Sequence, residues 1–177
     1  AISAYLDATK GMDDRRANLL LVADASLDGV EQSINEATLM LTLYRDDLTR
    51  RRCKKVFNIL KDRIVPLANV ARFDTEGVAT CSAISDSGWS LPDPENNARL
   101  KRGEKTVRSD TYFSERSGEW LFAILMRLED EDGEFAGSAG LELRAEQLAF
   151  LSQGDSLPEG VEVALLDDRG ESFGSKR

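Results

Sequence analysis

Residues 117–144 read SGEWLFAILMRLEDEDGEFAGSAGLELR, and this stretch decides the fold. The segment WLFAILMRL is apolar on both of its alternating faces, which is typical of a central strand. EDEDGEF then reads as a polar turn, and FAGSAGLELR reads as the next strand. Because the connection is short, the two strands should be antiparallel.

Strand and turn signals continue on both sides of this stretch. LANVARF (67–73) and GVATCSAI (77–84) flank the turn DTEG, where Gly77 suits a positive φ, and they predict a hairpin. The polar residues 85–105 predict a loop with one short helix near 95–102, and TVRSDTYFS (106–114) predicts a strand. AEQLAFLSQ predicts a short helix, and VEVALLDD with GESFG predicts a last hairpin around DDRG.

Upstream of the strands, apolar residues recur in alternating steps of three and four, which predicts one long helix. They are Leu20, Ala23, Leu27, Val30, Ile34, Ala37, Leu41 and Tyr44. This stripe could pair with a second copy and carry a signal, or it could pack on its own domain. A second helix, RDDLTRRRCKKVFNILKDR (45–63), places Cys53, Val56, Phe57 and Leu60 on one face.

These elements predict an α+β fold with a long N-terminal helix and an antiparallel sheet that helices cover on one side. We expect three parts in the chain. Residues 1–62 hold the long helix and the Cys-bearing helix, 63–153 form the core with the sheet, and 154–177 form a C-terminal hairpin that could begin a second module.

Composition excludes several classes of function. The 177 residues include 23 Lys+Arg, 32 Asp+Glu and no histidine, for a net charge of −9. Without histidine there is no Ser-His-Asp or Cys-His nucleophile and no His-ligated zinc. The negative charge argues against nucleic acid as a partner, although RRRCKK is locally basic. No run approaches 18 apolar residues, and the first residues do not resemble a signal peptide.

The cysteine pair and one acidic run are the motifs that could form a metal or redox site. Cys53 and Cys81 cannot form a zinc site alone, so they are either a disulfide or two unrelated buried thiols. Their even number and their positions on adjacent elements favour a disulfide, which would contribute about 3 kcal/mol and indicate an oxidising compartment. EDEDGE fails the ligand register of a calcium loop, with Leu128 and Ala139 at ligand positions. The sequence therefore indicates no metal, no cofactor and no catalytic residue.

A candidate pocket is indicated by polar and aromatic residues near the central strand. No Asp or Glu stands out within an apolar strand, but Arg127 does, either as a carboxylate ligand or in a structural ion pair. We expect a ligand between WLFAILMRL and residues 85–112. Strand alternation puts Arg127 on the face opposite Trp120, so we expect Arg108 to meet a ligand carboxylate and Arg127 to form the structural pair. The candidate binding residues are Trp89, Arg108, Asp110, Tyr112 and Trp120.

FDTEGVATCSA, SGEWLFAILMRLEDEDGEFAGSAGLEL and VALLDDRG, after a long helix and a Cys-bearing helix, resemble the extracytoplasmic Cache (PAS-like) sensor domains of bacterial receptors. The resemblance covers residues 15–177. It is in particular to the sensor domains that precede diguanylate cyclase or histidine kinase outputs. It implies a five-stranded antiparallel sheet, a small-molecule pocket and dimeric signalling through the helices. Ser87 stands two residues before Trp89, where amino-acid-binding members have arginine.

The sequence therefore predicts a non-enzymatic, periplasmic ligand-sensing domain, tethered to the inner membrane in the full-length protein. A diguanylate cyclase is the expected output, and a homodimer through the N-terminal helix is the expected assembly. Two alternatives stay open: an enzyme that uses a carboxylate pair, and a cytosolic coiled-coil adaptor. Absence of histidine weighs against the enzyme, and the cysteine pair weighs against the adaptor.

Overall fold

The computed structural model describes residues 3–5, 13–151 and 164–166. Its helices are α1 (Asp13–Leu43), α2 (Arg45–Thr49), α3 (Cys53–Leu60), α4 (Pro94–Lys101) and α5 (Ala145–Leu151). Its strands are β1 (Ser3–Tyr5), β2 (Leu67–Phe73), β3 (Ala79–Ser82), β4 (Thr106–Arg108), β5 (Tyr112–Ser114), β6 (Glu119–Glu129), β7 (Phe135–Arg144) and β8 (Ala164–Leu166). The α+β prediction is confirmed, and α4 lies within one residue of the predicted helix.

Strands β2 to β7 form one antiparallel sheet in the order β3-β2-β7-β6-β4, with β5 pairing with β6 beside β4. The sheet thus has six strands rather than five, because TVRSDTYFS is divided in two. The first of these two strands, β4, ends before Ser109. The Ser109 Oγ accepts a hydrogen bond from the Ala123 amide at 2.8 Å, and the Ser109 amide donates to the Ala123 carbonyl at 2.9 Å. Pairing with β6 resumes at Tyr112.

Alternation along β6 sends its side chains to two separate apolar cores. Ile124 and Met126 join the core beneath α1, whereas Ala123 and Leu125 join a smaller core on the opposite face. We call these the helix face and the cavity face of the sheet. Because β6 contributes side chains to both cores, it lies between α1 on the helix face and the cavity face. Only the thickness of this strand separates the two faces.

The apolar stripe of α1 packs on the helix face of its own sheet. Ala23 is 5% exposed, and four later residues of the stripe are at most 1% exposed: Val30, Ile34, Ala37 and Leu41. The expectation that the whole stripe pairs with a second copy is therefore wrong for this central part, because the sheet already covers it. Among the α1 residues whose side chains are described, the exposed leucines are Leu20, Leu21, Leu39 and Leu43.

Helix α3 is fixed to β3 by the disulfide between Cys53 and Cys81, which are 28 residues apart in sequence. This confirms the predicted pair. The basic run around Cys53 is solvated: Arg52 and Lys55 both pair with Asp47, at 3.1 Å. Val56 and Leu60 are fully buried beneath it, as expected for an amphipathic helix.

At the chain ends, β1 pairs with β8 in a separate antiparallel ladder, in which Ala4 lies opposite Leu165. The sequence did not predict β1. Apart from residues 164–166, the predicted hairpin within 154–177 lies outside the described residues, so the three-part division of the chain stays a prediction. Among the described residues, no helix is long and apolar enough to cross a membrane.

Candidate functional site

A cavity of about 230 Å³ opens on the cavity face, between β6 and the segment that joins β3 to β5. Its floor is formed by Ala123 and Leu125 of β6. Its rim is formed by Leu91, Pro92, Asp93, Asn96, Ser109, Asp110, Thr111 and Tyr112. The volume is below the roughly 300–1,000 Å³ of pockets for drug-sized ligands, so it suits a molecule of a few heavy atoms.

Helix α4 forms one wall of the cavity and is fixed at both ends. At its start, the Asp93 carboxylate accepts the Glu95 amide at 2.9 Å, and Pro94 occupies the first turn, where its missing N–H costs nothing. At its end, Arg127 Nη1 donates to the Leu100 carbonyl at 2.7 Å. This anchoring turns Asn96 and Leu100 inward, where both are buried.

Arg127 therefore has a structural role rather than a contact with a ligand in the cavity. Its side chain is 11% exposed, and Nε lies 3.0 Å from Glu129 Oε1. The guanidinium also lies 5.1 Å from the centre of the Phe135 ring. Hydrogen bonding to Arg127 lowers the pKa of Glu129, as expected for an ion pair. This agrees with the structural ion pair that the sequence predicted for Arg127.

Beside the cavity, a buried carboxylate is held by three donors. Glu142 of β7 has a side chain that is 4% exposed. Its Oε1 accepts from the Tyr112 hydroxyl at 2.5 Å and from Arg116 Nη2 at 2.9 Å, and its Oε2 accepts from Asn69 Nδ2 at 2.7 Å. A buried carboxylate needs such partners, because leaving it unpaired costs several kcal/mol.

The partners of Glu142 are themselves fixed by the sheet. Asn69 on β2 lies opposite Glu142, and Ala123 on β6 lies opposite it on the other side. The Asn69 Oδ1 atom accepts from the Ser82 hydroxyl at 3.2 Å, which joins the network to β3. Burial and the neighbouring carboxylate raise the pKa of Tyr112 far above its ordinary range, so its phenol stays a hydrogen-bond donor.

Arg116 completes the group by stacking on an indole. Its Cζ lies 3.3 Å from the centre of the Trp89 ring, and Trp89 in turn packs edge-on against Phe73 with ring centres 5.0 Å apart. The Trp89 Nε1 atom is buried and has no hydrogen-bond partner among the described residues. We call Glu142, Tyr112, Arg116, Asn69 and Trp89 the Glu142 cluster.

The structure brings three of the five candidate binding residues to this face. Asp110 and Tyr112 line the cavity, and Trp89 lies in the Glu142 cluster. Arg108 and Trp120 point to the helix face instead. Arg108 Nη1 donates to Glu31 of α1 at 3.0 Å, and Trp120 packs on Phe113 with ring centres 5.8 Å apart.

Strand parity explains this split. Arg108 lies opposite Ile124, and Trp120 opposite Phe113, all on the helix face. The preference for Arg108 over Arg127 as the pocket arginine was therefore misplaced, since neither lines the cavity.

Sequence reasoning missed Glu142 and Arg116. The statement that no acidic residue stands out in an apolar strand was wrong, because Glu142 lies between Leu141 and Leu143, both fully buried. That flanking pair was an available signal. Arg116 gave no such signal, because it lies in a polar turn. Only the folding of that turn brings the Arg116 side chain to the sheet.

No protein-family model matches the chain, and no curated protein matches it. Several solved structures of other proteins do match the chain. The ligand-binding domain of the Pseudomonas aeruginosa amino acid chemoreceptor PctB in complex with L-Arg superposes with a TM-score of 0.68 at 14% identity, over 94% of this chain and 73% of that one. The PctC domain from the same organism, in complex with GABA, gives 0.63 at 12% identity, over 92% and 76%.

The sensor domain of the V. cholerae histidine kinase DctB gives a TM-score of 0.54 at 12% identity, over 81% of this chain and 60% of that one. At these identities the similarity establishes a shared fold. The chain thus has the fold of receptor ligand-binding domains, which confirms the fold that the Cache resemblance implied. These neighbours are ligand-binding or sensor domains by their descriptions.

Proposed function

We propose that this chain is the ligand-sensing domain of a bacterial membrane receptor and that it binds a small molecule in the cavity bounded by Tyr112 and Ala123. The observation that carries the proposal is the cavity itself, which lies on the sheet face remote from α1 in a fold shared with ligand-bound receptor domains. Two acidic side chains, Asp93 and Asp110, line the cavity, and the adjacent Glu142 is paired with Arg116.

The chain would lie on the periplasmic side of the inner membrane. The Cys53–Cys81 disulfide supports an oxidising compartment, because such bonds are rare in the cytosol. We propose a membrane tether and a cytoplasmic diguanylate cyclase output, supported by the sequence resemblance. The full-length gene tests this: we expect an apolar segment of about 20 residues on each side of the chain, and their absence would contradict the assignment.

A ligand signal would reach α1 through β6 and β4. Ala123 and Leu125 form the cavity floor, while Ile124 between them packs under α1. Arg108 adds a direct link, because it adjoins the rim residue Ser109 and donates to Glu31 on α1. Its side chain is 42% exposed, so this pair contributes little stability and can break as the rim moves.

The homodimer through the N-terminal helix remains part of the proposal, with a revised surface. Because the sheet covers the middle of the stripe, the contact would use the exposed leucines, and Leu21, Leu39 and Leu43 lie on one side of α1 at helical spacing.

The two alternative functions, a carboxylate-based enzyme and a cytosolic coiled-coil adaptor, both lose support. Of the carboxylates at the cavity, Asp93 caps α4 and Glu142 is held by three donors, so neither of these two is available as a general acid or base. A coiled-coil adaptor needs an apolar helix stripe that is free to pair, whereas the sheet covers the middle of the α1 stripe.

The experiment is a thermal-shift screen of the purified chain against small amines, amino acids and dicarboxylates. We expect at least one compound to raise the melting temperature (Tm), since a ligand that binds only the folded state stabilises it. Ala123→Leu should fill the cavity floor and abolish this shift. Ala98→Leu makes the same change on α4 outside the cavity lining and should retain it. A shift that survives Ala123→Leu would place the ligand elsewhere.

A further inference from the structure

The Arg116 guanidinium lies between an aromatic face and a buried carboxylate. Its Cζ is 3.3 Å from the centre of the Trp89 ring, and its Nη2 is 2.9 Å from Glu142 Oε1. An indole face and a carboxylate together attract a cation more strongly than either alone. The surroundings thus have the chemistry of a binding site for an organic cation, and a side chain of the protein fills it.

Arg116 reaches this site from a turn rather than from the sheet. The turn joins β5 to β6, and the Gly118 amide closes it by donating to the Ser114 carbonyl at 2.7 Å. Glu142 and Asn69 lie on β7 and β2, and Trp89 follows β3 at the far edge of the sheet. The arginine side chain therefore extends across the cavity face, and it is 27% exposed whereas Glu142 is 4% exposed.

The site is continuous with the cavity. Tyr112 belongs to both, since its ring lines the cavity and its hydroxyl donates to Glu142. Ala123, on the cavity floor, lies directly opposite Glu142 in the β6–β7 ladder. The charged residues among the lining side chains are Asp93 and Asp110, both of them acidic. A molecule could fill the cavity and still place one group against Glu142.

We propose that Glu142, Trp89 and Tyr112 form a cation site and that Arg116 is its internal occupant, displaced when a ligand with an ammonium or guanidinium group binds. This rests on the proposed function, because it names the ligand class of the same cavity. An entering cation replaces the charge that Arg116 supplied, so Glu142 is never left buried without a partner. An anion cannot make that replacement. Release of Arg116 frees the β5–β6 turn, which is the conformational response.

The test removes the internal occupant and supplies a free one. Arg116→Ala should bind methylguanidinium at least tenfold more tightly than wild type, because it no longer has a tethered competitor. Binding is measured by calorimetry and by Tm, which should rise by roughly 3–5 °C at about ten times the Kd. Sodium chloride and sodium acetate at equal ionic strength should produce no such rise. If Arg116→Ala does not fold, Arg116→Gln keeps a hydrogen-bond donor and serves instead.

Two variants make the result specific. Arg102→Ala removes an exposed arginine that pairs with Glu95, and it should respond as wild type does. Arg116→Ala with Glu142→Gln should lose the response, because the carboxylate that holds the cation is gone. Equal binding by wild type, Arg116→Ala and Arg102→Ala would overturn the proposal, and so would full binding by the double variant.

The two proposals fail separately. Methylguanidinium is too small to need the cavity, so its binding to Arg116→Ala should survive Pro92→Trp, which narrows the cavity at its rim and leaves Ala123, the strand neighbour of Glu142, unchanged. If that binding holds while no ligand is found for wild type, the cation site stands and the sensing function falls. If wild type binds a ligand in the cavity but Arg116→Ala gains no affinity for the probe, the cation site alone falls.

Discussion

Arg127 shows how one side chain can support a site without touching its ligand. It was recognised in the sequence as the polar residue of an apolar strand, and the structure explains why it is there. Its Nη1 donates to the Leu100 carbonyl in the last turn of α4, which also accepts from the Gly103 amide at 3.1 Å. A positive charge at this end also suits the helix dipole. Arg127 thus holds the α4 wall against the sheet.

Arg127→Ala should lower the free energy of unfolding by about 2–3 kcal/mol, because it removes the charged hydrogen bond to α4, the ion pair with Glu129 and the packing of a nearly buried side chain. For a chain of this length, that corresponds to a Tm roughly 5–10 °C lower, measured by calorimetry or circular dichroism. Arg102→Ala is the matched control, since that arginine and Glu95 are each 60% exposed and should contribute under about 1 kcal/mol. Equal losses in the two variants would show that Arg127 has no such role.

Tyr112 gives the Glu142 cluster a signature in pH. Burial and Glu142 raise the pKa of its phenol in the folded state, whereas in the unfolded chain it titrates near 10. The unfolded state therefore releases the proton first. The stabilisation is fully present below about pH 10 and is lost as the pH rises further.

Between about pH 9 and about pH 11, this phenol should account for a loss of about 1.4 kcal/mol in the free energy of unfolding. Tyr112→Phe should remove that part of the loss, as measured by urea unfolding at each pH. Tyr44→Phe, which removes a phenol outside the cluster, should keep the wild-type slope. The same slope in wild type and Tyr112→Phe would mean that Tyr112 titrates normally when folded.

Residue positions followed from the sequence only where strand parity was known. The cavity lies between the interval 85–112 and the central strand, with Asp110 and Tyr112 on its rim, and ligand binding there stays a prediction. Arg108 and Trp120 were grouped with them because they are close in sequence, but Ser109 interrupts the strand and parity places them on the helix face. Arg116 could not be found at all, because its contacts with β7 depend on how a turn folds back.

At the scale of elements, α1 combines two kinds of surface on one helix. The spacing of its apolar residues predicted the helix, and the structure shows that the sheet, rather than a second helix, covers most of them. Periodicity alone could not decide this, because a stripe that packs on a sheet and a stripe that packs on a partner have the same spacing. Ile34 is fully buried in this stripe, whereas Leu39 is 55% exposed.

Ile34→Ala should therefore lower the free energy of unfolding by about 2–5 kcal/mol, because it leaves a cavity between α1 and the sheet. Leu39→Ala on the same helix should change it by no more than about 0.5 kcal/mol. Urea unfolding of the two variants measures the difference. If Ile34→Ala were as stable as Leu39→Ala, α1 would not pack on the sheet as described.

At the scale of the whole molecule, the sequence was sufficient for the α+β class and for the central hairpin, because apolar alternation and short polar turns are local signals. The pairing of Ala4 with Leu165 joins residues from the two ends of the chain, and no local pattern marks such a contact. The Glu142 cluster is of the same kind. It joins β2, β5 and β7 with two connecting segments, and each contributes one polar group that is unremarkable alone.

Self-association through α1 is a property of the whole molecule. We expect weak self-association, with a Kd of roughly 0.1–1 mM, because the exposed leucines are few and the central stripe is used internally. Sedimentation across concentration should show it. Leu39→Asp with Leu43→Asp should leave a monomer at every concentration with the fold intact. Val65→Asp changes an apolar residue that is equally exposed but lies outside α1, and it should associate as wild type does. A wild-type monomer throughout, or equal loss in both variants, would remove α1 as the dimer surface.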